Sequence, residues 1–450
     1  MKKSSLLGHA AEALSHIRGG HRPADSILAD FFRERRYLGA RDRREIAGMV
    51  FGTVRHMRLL DLLVHAATAG FGTSFLPAGP PITPLLVAAY VLHVEHDDTA
   101  ETSAGLTEYF STCLSGEMPT GFLDALKSAR LPEETLDSPV SRIAALHSFP
   151  DCLIREWMMR MGPEDTEALA VSLNQQAPLS LRVNTLKSTV DHCRQVLAAA
   201  GVQTERGRCS PFALILPKRL ALDTLQAYRD GLFEMQDEGS QLLSLLVQPQ
   251  PGTTVVDACA GGGGKTLHLA ALMENRGRLV AIDLDDRKLR NLQQRAERAG
   301  AKVHMILSAH RDEARIARLC DKAHAVLVDA PCSALGTVRR NPSLKMVYTE
   351  ERSTQLSTIQ TTLLDSAARL VMPGGRLVYS TCTLVQKENE EVASRFLDRN
   401  PGFVLQPAYE ILSRWGIVVD RSSPYLQLYP HRSGTDGFFA AVFLREEGGR

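Results

Sequence analysis

The stretch VVDACAGGGGKTLHLAALM (255–273) constrains the fold more than any other part of the sequence. Its apolar start ends in Asp257 and predicts a strand, four glycines predict a loop, and the residues from Lys265 to Met273 predict the beginning of a helix. A strand, a glycine loop and a helix in this order form the first unit of a doubly wound nucleotide-binding sheet. The sequence therefore predicts an α/β domain that holds a ligand against this loop.

The glycine loop lacks the spacing of a Walker phosphate-binding motif. That motif reads Gly-x-x-x-x-Gly-Lys-Ser/Thr, and Cys259 stands where its first glycine belongs. A second predicted strand, RLVAID (278–283), ends in Asp283, and an acid at this place suits a ribose diol. These features disfavour an ATPase. They favour an adenosine-type cofactor without a triphosphate, for which S-adenosylmethionine is the leading candidate.

Composition sets further bounds. The 450 residues are 44% hydrophobic and 23% charged, which is ordinary for a globular protein of two or three domains. The sequence contains no run of 18 apolar residues, so no membrane span is predicted. The first 20 residues predict an amphipathic helix and not a signal peptide. The eight cysteines show no zinc spacing. We expect a reduced, cytoplasmic monomer without a metal. The net charge of +1 does not itself indicate nucleic-acid binding, which has to be argued from local basic patches.

Three domains are predicted along the chain. Apolar residues at helical spacing indicate an all-α domain over residues 1–140, with a turn at 77–84 before a helix at 85–94. Prolines in 131–150 indicate a linker. Residues 150–235 form a small α+β domain with helices at 150–161, 164–174 and 189–200 and strands at 179–184 and 213–217. Residues 236–450 form a doubly wound, mainly parallel sheet with strands at 255–257, 279–283, 303–307, 325–329 and 376–380.

The all-α domain has a basic segment. Eight arginines fall between residues 33 and 58, against three acids: Arg33, Arg35, Arg36, Arg41, Arg43, Arg44, Arg55 and Arg58. Taken alone, such a run is more typical of a solvated helix face. The alternative is a surface that contacts the phosphates of RNA.

Two cysteines follow predicted strands. Cys332 lies in VLVDAPCSALG (326–336), where Asp329 ends the strand, and Cys382 lies in RLVYSTCT (376–383). Because the carboxyl ends of parallel strands share one edge of a sheet, we expect both sulfurs to face one cleft. The cysteines far from such ends are expected to be small buried side chains: Cys113, Cys152, Cys193, Cys209 and Cys320.

A cofactor cleft with two thiols and an acid suits methylation at carbon 5 of a pyrimidine. A thiolate that adds to carbon 6 makes carbon 5 nucleophilic enough to attack a methyl sulfonium. A carboxyl group can handle the proton at ring nitrogen 3, and a second thiolate can remove the carbon-5 proton. Lys265, Arg339 and Arg340 are candidates for the positive field that favours a thiolate, although the two arginines are better suited to phosphate.

The motifs resemble a known family. DAPCSALGT (329–337) and STCT (380–383), followed by Glu388-Asn389-Glu390, are similar to motifs IV and VI of Sun/Fmu-type RNA 5-methylcytosine methyltransferases, and QDEGSQ (236–241), RRNP (339–342) and DGFF (436–439) also fit. The helical N-terminus resembles the NusB-like domain of the ribosomal RNA small-subunit methyltransferase B branch. The resemblance covers nearly the whole chain. It implies a Rossmann-like class I methyltransferase domain behind an RRM-like α+β domain and an all-α NusB-like RNA-binding domain.

The resemblance also implies roles. Cys382 would be the nucleophile and Cys332 would assist product release, with small-subunit ribosomal RNA as the expected substrate and S-adenosylmethionine as the cofactor. The residues implied to contact the cofactor or the target base are Cys259, Ala260, Gly261, Gly262, Gly263, Gly264, Lys265, Asp283 and Asp329. Two departures stand out: the family loop usually reads CAAPGGKT where this chain has CAGGGGKT, and Ala309 replaces an acid common near the adenine.

Three alternatives remain beside this interpretation. A DNA cytosine methyltransferase would use Cys332 as the nucleophile and has no role for Cys382. An amino-group methyltransferase would carry Asn/Asp-Pro-Pro-Tyr where this chain has Asp-Ala-Pro-Cys. A NusB-like RNA-binding or assembly factor with a vestigial catalytic domain is kept open by the altered glycine loop and by Ala309.

Overall fold

The computed structural model describes residues 1–20, 22, 24–71, 82–114, 118–218 and 220–448. Most of the turn predicted at 77–84 lies outside these ranges. The chain divides into two compact units. The first, called here the helical unit, comprises Met1–Gln175 and Val338–Tyr348. The second, called the sheet unit, comprises Gln176–Thr337 and Thr349–Arg450.

The helical unit contains only helices among its described regular elements. They are α1 (Lys3–Gly19), α2 (Ala24–Glu34), α3 (Ala40–Arg55), α4 (Met57–Thr68), α5 (Thr83–His93), α6 (Ala100–Cys113), α7 (Phe122–Ser128), α8 (Pro139–His147), α9 (Asp151–Asn174) and, from the later segment, α16 (Leu344–Val347). A short 3-10 helix spans Glu133–Leu136. The all-α character predicted for residues 1–140 is confirmed.

The core of the helical unit forms around α5. All residues from Leu85 to Leu92 are buried, which is expected of a helix that is apolar on every side. Gly52 of α3 allows a close helix approach, because a Cβ there would lie 2.1 Å from the ring of Tyr90. Leu7, Ile46 and Phe110 pack into the same core.

One prediction for the end of this region needs correction. The linker predicted at 131–150 contains α8, because Pro139 occupies the first turn of a helix, where proline is tolerated, and Ser138 caps it by accepting a hydrogen bond from the Ser141 N–H (3.0 Å). The two helices predicted at 150–161 and 164–174 are confirmed, because the range of α9 includes a residue with a non-helical backbone between them. This residue is Gly162 (φ 79°), just before Pro163.

Lys345 anchors the segment Val338–Tyr348 in the helical unit. Its ammonium group donates to the carbonyl oxygens of Arg55 (2.6 Å) and His147 (3.0 Å) and to Oδ1 of Asn174 (2.8 Å). The side chain is buried, and Nζ lies 4.3 Å from the ring centroid of Phe149. All three ammonium protons therefore have acceptors.

The sheet unit begins with a small antiparallel sheet in the order β2-β3-β1-β4. Its elements are β1 (Leu179–Val183), α10 (Val190–Ala199), β2 (Glu205–Arg206), β3 (Ala213–Leu216), α11 (Gln226–Arg229) and β4 (Phe233–Met235). The predicted α+β character of this region is confirmed.

The motif QDEGSQ (236–241) joins this sheet to the rest of the unit. Oε1 of Glu238 accepts hydrogen bonds from the N–H groups of Cys209 (2.8 Å) and Ser210 (3.0 Å). The amide of Gln241 donates to the carbonyl oxygen of Leu181 (3.4 Å) and accepts from the Ser210 hydroxyl (2.6 Å). These buried contacts explain why polar residues occupy an otherwise apolar helix.

The remainder of the sheet unit is a doubly wound α/β domain. Its elements are α12 (Glu238–Leu246), β5 (Thr254–Asp257), α13 (Gly264–Leu272), β6 (Arg278–Asp283), α14 (Asp286–Ala299), β7 (Met305–Ser308), α15 (Glu313–Ala317), β8 (Ala323–Asp329), α17 (Glu350–Ala368), β9 (Val371–Thr381), α18 (Glu390–Arg399), β10 (Phe403–Gln406), α19 (Ala408–Ser413), β11 (Leu426–Leu428), α20 (Pro430–Ser433) and β12 (Phe438–Arg445). The predicted strands are present with small shifts in their bounds.

The eight-stranded sheet has the order β10-β12-β9-β8-β5-β6-β7, and β11 pairs with β12. The strands from β9 through β8, β5 and β6 to β7 are parallel, whereas β10, β11 and β12 pair antiparallel. The predicted doubly wound, mainly parallel sheet is confirmed. Among the helices in the described ranges, none is both long and apolar enough to cross a bilayer.

Candidate active site

The residues singled out in the sequence gather at the carboxyl edge of the parallel strands. Asp257 ends β5, Asp283 ends β6 and Asp329 ends β8, while Cys382 follows β9 directly. The register places Asp329 opposite Ser380, two residues before Cys382. This is the edge where open α/β sheets bind ligands.

The glycine loop turns sharply between β5 and α13. Gly261 (φ 54°) and Gly263 (φ 87°) adopt left-handed backbone conformations that favour glycine. The Gly261 N–H donates to Oδ2 of Asp283 (2.7 Å), and the Gly263 N–H donates to the carbonyl oxygen of Ala260 (2.9 Å). A Cβ on Gly261 or Gly264 would meet nothing within 4 Å. The loop therefore borders open space at the start of α13.

Arg295 of α14 holds the loop from the other side. Its guanidinium donates to the carbonyl oxygen of Gly262 (2.5 Å) and forms an ion pair with the buried Glu234 of β4 (2.8 Å). Glu234 also pairs with Arg298 (2.5 Å). Arg295 could not be singled out from the sequence, because it lies among other arginines of α14 and only the folded chain distinguishes it from them.

Two buried groups support the base of the loop. Asp257 accepts a hydrogen bond from the Thr266 hydroxyl (2.7 Å), and burial raises the pKa of this carboxyl group to about 7. Asp257 thus orients the loop from beneath. Burial, reinforced by the charges of Asp257 and Asp329, also raises the pKa of the Cys259 thiol. Cys259 is therefore a neutral thiol at physiological pH.

Lys265 and Asp329 form an ion pair at the centre of the edge. The ammonium lies 2.6 Å from Oδ2 of Asp329, and the Ser380 hydroxyl donates to Oδ1 (3.3 Å). Burial alone would lower the pKa of Lys265, but the charge and hydrogen bond of Asp329 outweigh burial and raise it. Lys265 therefore remains a cation.

The two cysteines meet. The Sγ atoms of Cys332 and Cys382 are 3.4 Å apart, and both side chains are partly exposed. The hydrogen bond with Cys382, together with burial, raises the pKa of the Cys332 thiol well above its ordinary value. The residues that follow the cysteines are also joined, because the hydroxyls of Ser333 and Thr383 lie 2.6 Å apart.

The remaining residues considered in the sequence have different surroundings. Arg339 and Arg340 belong to the segment within the helical unit, where Arg339 is buried and Arg340 is exposed. Ala309 follows β7, and its N–H donates to the carbonyl oxygen of Asp283 (2.9 Å). Of the five cysteines predicted to be buried, Cys193 is buried, whereas Cys320 is exposed and Cys113, Cys152 and Cys209 are partly exposed, so the prediction was wrong for Cys320 and holds fully for Cys193 alone. Within the described ranges, no three His, Cys, Asp or Glu side chains gather as a metal site.

The strand order, the glycine loop and the acid that ends the second parallel strand define an S-adenosylmethionine-dependent methyltransferase. The family model for 16S rRNA methyltransferase RsmB/F matches residues 244–444, and the model for the ferredoxin-like domain of RsmF/B-like methyltransferases matches residues 149–223. The chain belongs to this RsmB/F family, as its similarity to known relatives also shows.

Those relatives match over most of their length. The chain is 32% identical to a probable ribosomal RNA small subunit methyltransferase B from Synechocystis sp. over 90% of this chain and 91% of that protein. It is 29% identical to the probable protein of the same name from Bacillus subtilis over the whole of both chains. The crystal structure of PH0851 is 28% identical and covers 98% of this chain and 99% of that one, with a TM-score of 0.77.

The site fits S-adenosylmethionine as the cofactor. Asp283 already accepts hydrogen bonds from the N–H groups of Gly261 and Asp285 (2.7 and 2.8 Å), but a carboxylate can accept about four, so it retains capacity for ribose hydroxyls. The open space beside Gly261 and Gly264 lets a ligand approach the backbone closely.

Proposed function

We propose that this protein methylates carbon 5 of a cytosine in small-subunit ribosomal RNA through a covalent adduct between a cysteine and carbon 6 of the base. The contact of 3.4 Å between Sγ of Cys332 and Sγ of Cys382 carries the proposal. Both thiols can reach one small ring from this position, which is what a mechanism with one nucleophile and one base requires.

RNA as the substrate is supported by the similarity to ribosomal RNA methyltransferases and by one surface of the helical unit. Of the eight arginines between residues 33 and 58, Arg36, Arg41 and Arg44 are exposed, and their side chains form no ion pair or hydrogen bond with other residues in the described ranges. Arg35, in contrast, pairs with Glu12 (2.6 Å), and Arg58 pairs with Asp151 (2.8 Å). We propose that Arg36, Arg41 and Arg44 contact phosphate groups of the RNA. We also propose that residues 1–140 serve as an RNA-binding domain.

The reaction begins with Cys382. Its thiolate adds to carbon 6 of the cytosine, which moves electron density to carbon 5. Asp329, paired with Lys265, holds the ring at nitrogen 3 and exchanges the proton that this addition requires there. The cofactor, when bound against residues 259–265, Asp283 and Asp329, supplies an electrophilic methyl group for carbon 5.

Release needs a base. The Cys332 thiolate takes the proton from carbon 5, the electron pair of that C–H bond restores the double bond between carbons 5 and 6, and Cys382 leaves carbon 6 as a thiolate. The target base must be flipped out or already unpaired to enter the cleft.

The proposal is tested with four proteins: the wild type, Cys382→Ala, Cys332→Ala and, as a matched control, Cys320→Ala at the exposed cysteine. Each is incubated with unmodified ribosomal RNA and labelled S-adenosylmethionine, then separated on a denaturing gel. We expect methylated RNA from the wild type and the control, no transfer by Cys382→Ala, and a trapped protein–RNA adduct with Cys332→Ala.

Other outcomes select the alternatives. An adduct that appears with Cys382→Ala and not with Cys332→Ala would exchange the roles of the two cysteines, as in the DNA-type scheme. A wild type that binds RNA but neither binds the cofactor nor transfers methyl would leave an RNA-binding factor with a vestigial catalytic domain.

A further inference from the structure

Two adjacent residues after the second cysteine contact both cysteine loops. Glu388 ends a short 3-10 helix (Gln386–Glu388), Asn389 precedes α18, and both side chains are buried. The Tyr379 hydroxyl fixes this dipeptide by donating to the carbonyl oxygen of Glu388 (2.5 Å). Neither side chain has a part in the chemistry described above.

The Glu388 carboxylate holds the Cys332 loop. Its Oε2 accepts hydrogen bonds from the Ser333 N–H (2.9 Å) and from the Gln360 side-chain amide (3.0 Å), and its Oε1 accepts from the Ser353 hydroxyl (3.0 Å). The Gln360 amide also donates to the carbonyl oxygen of Pro331 (2.9 Å). The residues on both sides of Cys332 are therefore tied, directly or through Gln360, to Glu388.

Asn389 holds the Cys382 loop in the same manner. Its Oδ1 accepts from the Thr381 hydroxyl (2.6 Å), and its Nδ2 donates to the carbonyl oxygen of Thr383 (3.0 Å). These contacts lie on either side of Cys382. The dipeptide Glu388-Asn389 is thus hydrogen-bonded, directly or through Gln360, to the residues on both sides of Cys332 and of Cys382.

We infer that Glu388 and Asn389 are positioning residues that set the separation of the two sulfurs, Glu388 by placing Cys332 for the release step and Asn389 by placing Cys382 for the addition step. This inference rests on the proposed function. It assigns different defects to neighbouring residues: loss of Glu388 leaves addition intact and slows release, whereas loss of Asn389 slows addition.

The test compares Glu388→Ala, Asn389→Ala and the exposed control Glu391→Ala in the adduct assay, each with both cysteines present. Because a misplacement of about 1 Å can cost about a hundredfold in rate, we expect Glu388→Ala to slow release by about that factor and to accumulate adduct, as Cys332→Ala does. Asn389→Ala should form little adduct, and Glu391→Ala should match the wild type.

A conservative variant separates position from charge. In Glu388→Gln, the amide oxygen can still accept from Ser333 and Gln360, and the amide nitrogen can donate to the Ser353 hydroxyl. We therefore expect Glu388→Gln to release product at the wild-type rate. Gln360→Met, which removes the tie to Pro331 with little change in volume, should accumulate an intermediate amount of adduct even if Glu388→Ala folds poorly.

The outcomes that overturn the inference differ from those that overturn the proposed function. If Cys332→Ala traps the adduct but Glu388→Ala and Gln360→Met do not, the inference is wrong and the two-cysteine mechanism stands. Adduct accumulation by Glu388→Gln equal to that of Glu388→Ala would also overturn it, because charge and not position would then matter. If Cys332→Ala traps nothing, the proposed function itself fails.

Discussion

A Cβ atom on Gly336 would lie 2.1 Å from the carbonyl oxygen of Gly437, so the backbones of these two glycines meet where no side chain fits. The Gly437 N–H donates to the Gly336 carbonyl oxygen (2.9 Å), and the Gly336 N–H donates to the carbonyl oxygen of Cys382 (2.9 Å). The DGFF motif therefore borders the cysteine site by supporting the loop that follows Cys332.

Gly336→Ala should damage both the fold and the reaction. The added methyl group must displace backbone, so we expect a loss of about 1–3 kcal/mol in the free energy of unfolding, measured by chemical denaturation, and slower methyl transfer. Gly48→Ala is the control, since a Cβ at this position in α3 meets nothing within 4 Å. It should be neutral or stabilising by about 0.5–1 kcal/mol. Equal effects of the two substitutions would contradict the close backbone contact.

Asp257 should make stability depend on pH. Burial raises its pKa from an ordinary value of 3.8 to about 7, so the folded state binds a proton that the unfolded state has released. The free energy of unfolding should therefore fall as pH rises between these two values, by up to about 4 kcal/mol, and level off above pH 7. The free energy of unfolding, measured by denaturation, should be lower at pH 8 than at pH 5 in the wild type. The difference between the two pH values should be smaller in Asp257→Asn.

The exposed Asp398→Asn serves as the control for that experiment and should keep the wild-type dependence on pH. If the profiles of Asp257→Asn and the wild type run parallel, Asp257 does not titrate in this range.

Arg295→Ala should weaken cofactor binding, although the Arg295 side chain acts through the glycine loop and is not itself proposed to contact the cofactor. Removing the hydrogen bond to the Gly262 carbonyl oxygen frees the glycine loop, and a loss of about 1 kcal/mol corresponds to a Kd about fivefold higher for S-adenosylmethionine. Isothermal titration calorimetry measures this directly. Arg290→Ala, an exposed arginine on the same helix, should leave Kd unchanged, and equal Kd values for both variants would refute the role of Arg295.

The combined variant Arg36→Ala, Arg41→Ala and Arg44→Ala should bind RNA more weakly and with less dependence on salt. Each lost phosphate contact lowers the slope of log K against log salt by about 0.7–0.9, so the slope should fall by about 2–3. Affinities for ribosomal RNA at several salt concentrations give this slope. Arg155→Ala, at an exposed arginine of α9, is the control, and an unchanged slope in the triple variant would place the RNA elsewhere.

The sequence was most informative where chemistry or periodicity is local. The strands that end in Asp257, Asp283 and Asp329 could be located because apolar runs stop at acids, and the two cysteines because they follow such runs. The contacts of Glu388, Arg295 and Gly336 could not be predicted, because their partners lie 28 to 101 residues away along the chain and only packing brings them together. Prolines misled in 131–150, because a proline at a helix start and one in a linker look alike.

The placement of Val338–Tyr348 within the helical unit has a genetic consequence. The helical unit is encoded by two separate stretches of the gene. Between them lies the sequence that encodes the small sheet and the first half of the eight-stranded sheet. A recombination event that exchanged only Met1–Gln175 between relatives would leave Arg55, His147 and Asn174 of one parent to accept hydrogen bonds from Lys345 of the other. The acceptors at Arg55 and His147 are main-chain carbonyl oxygens that any parent supplies, so the side-chain match that a functional chimaera must keep is the one between Asn174 and Lys345.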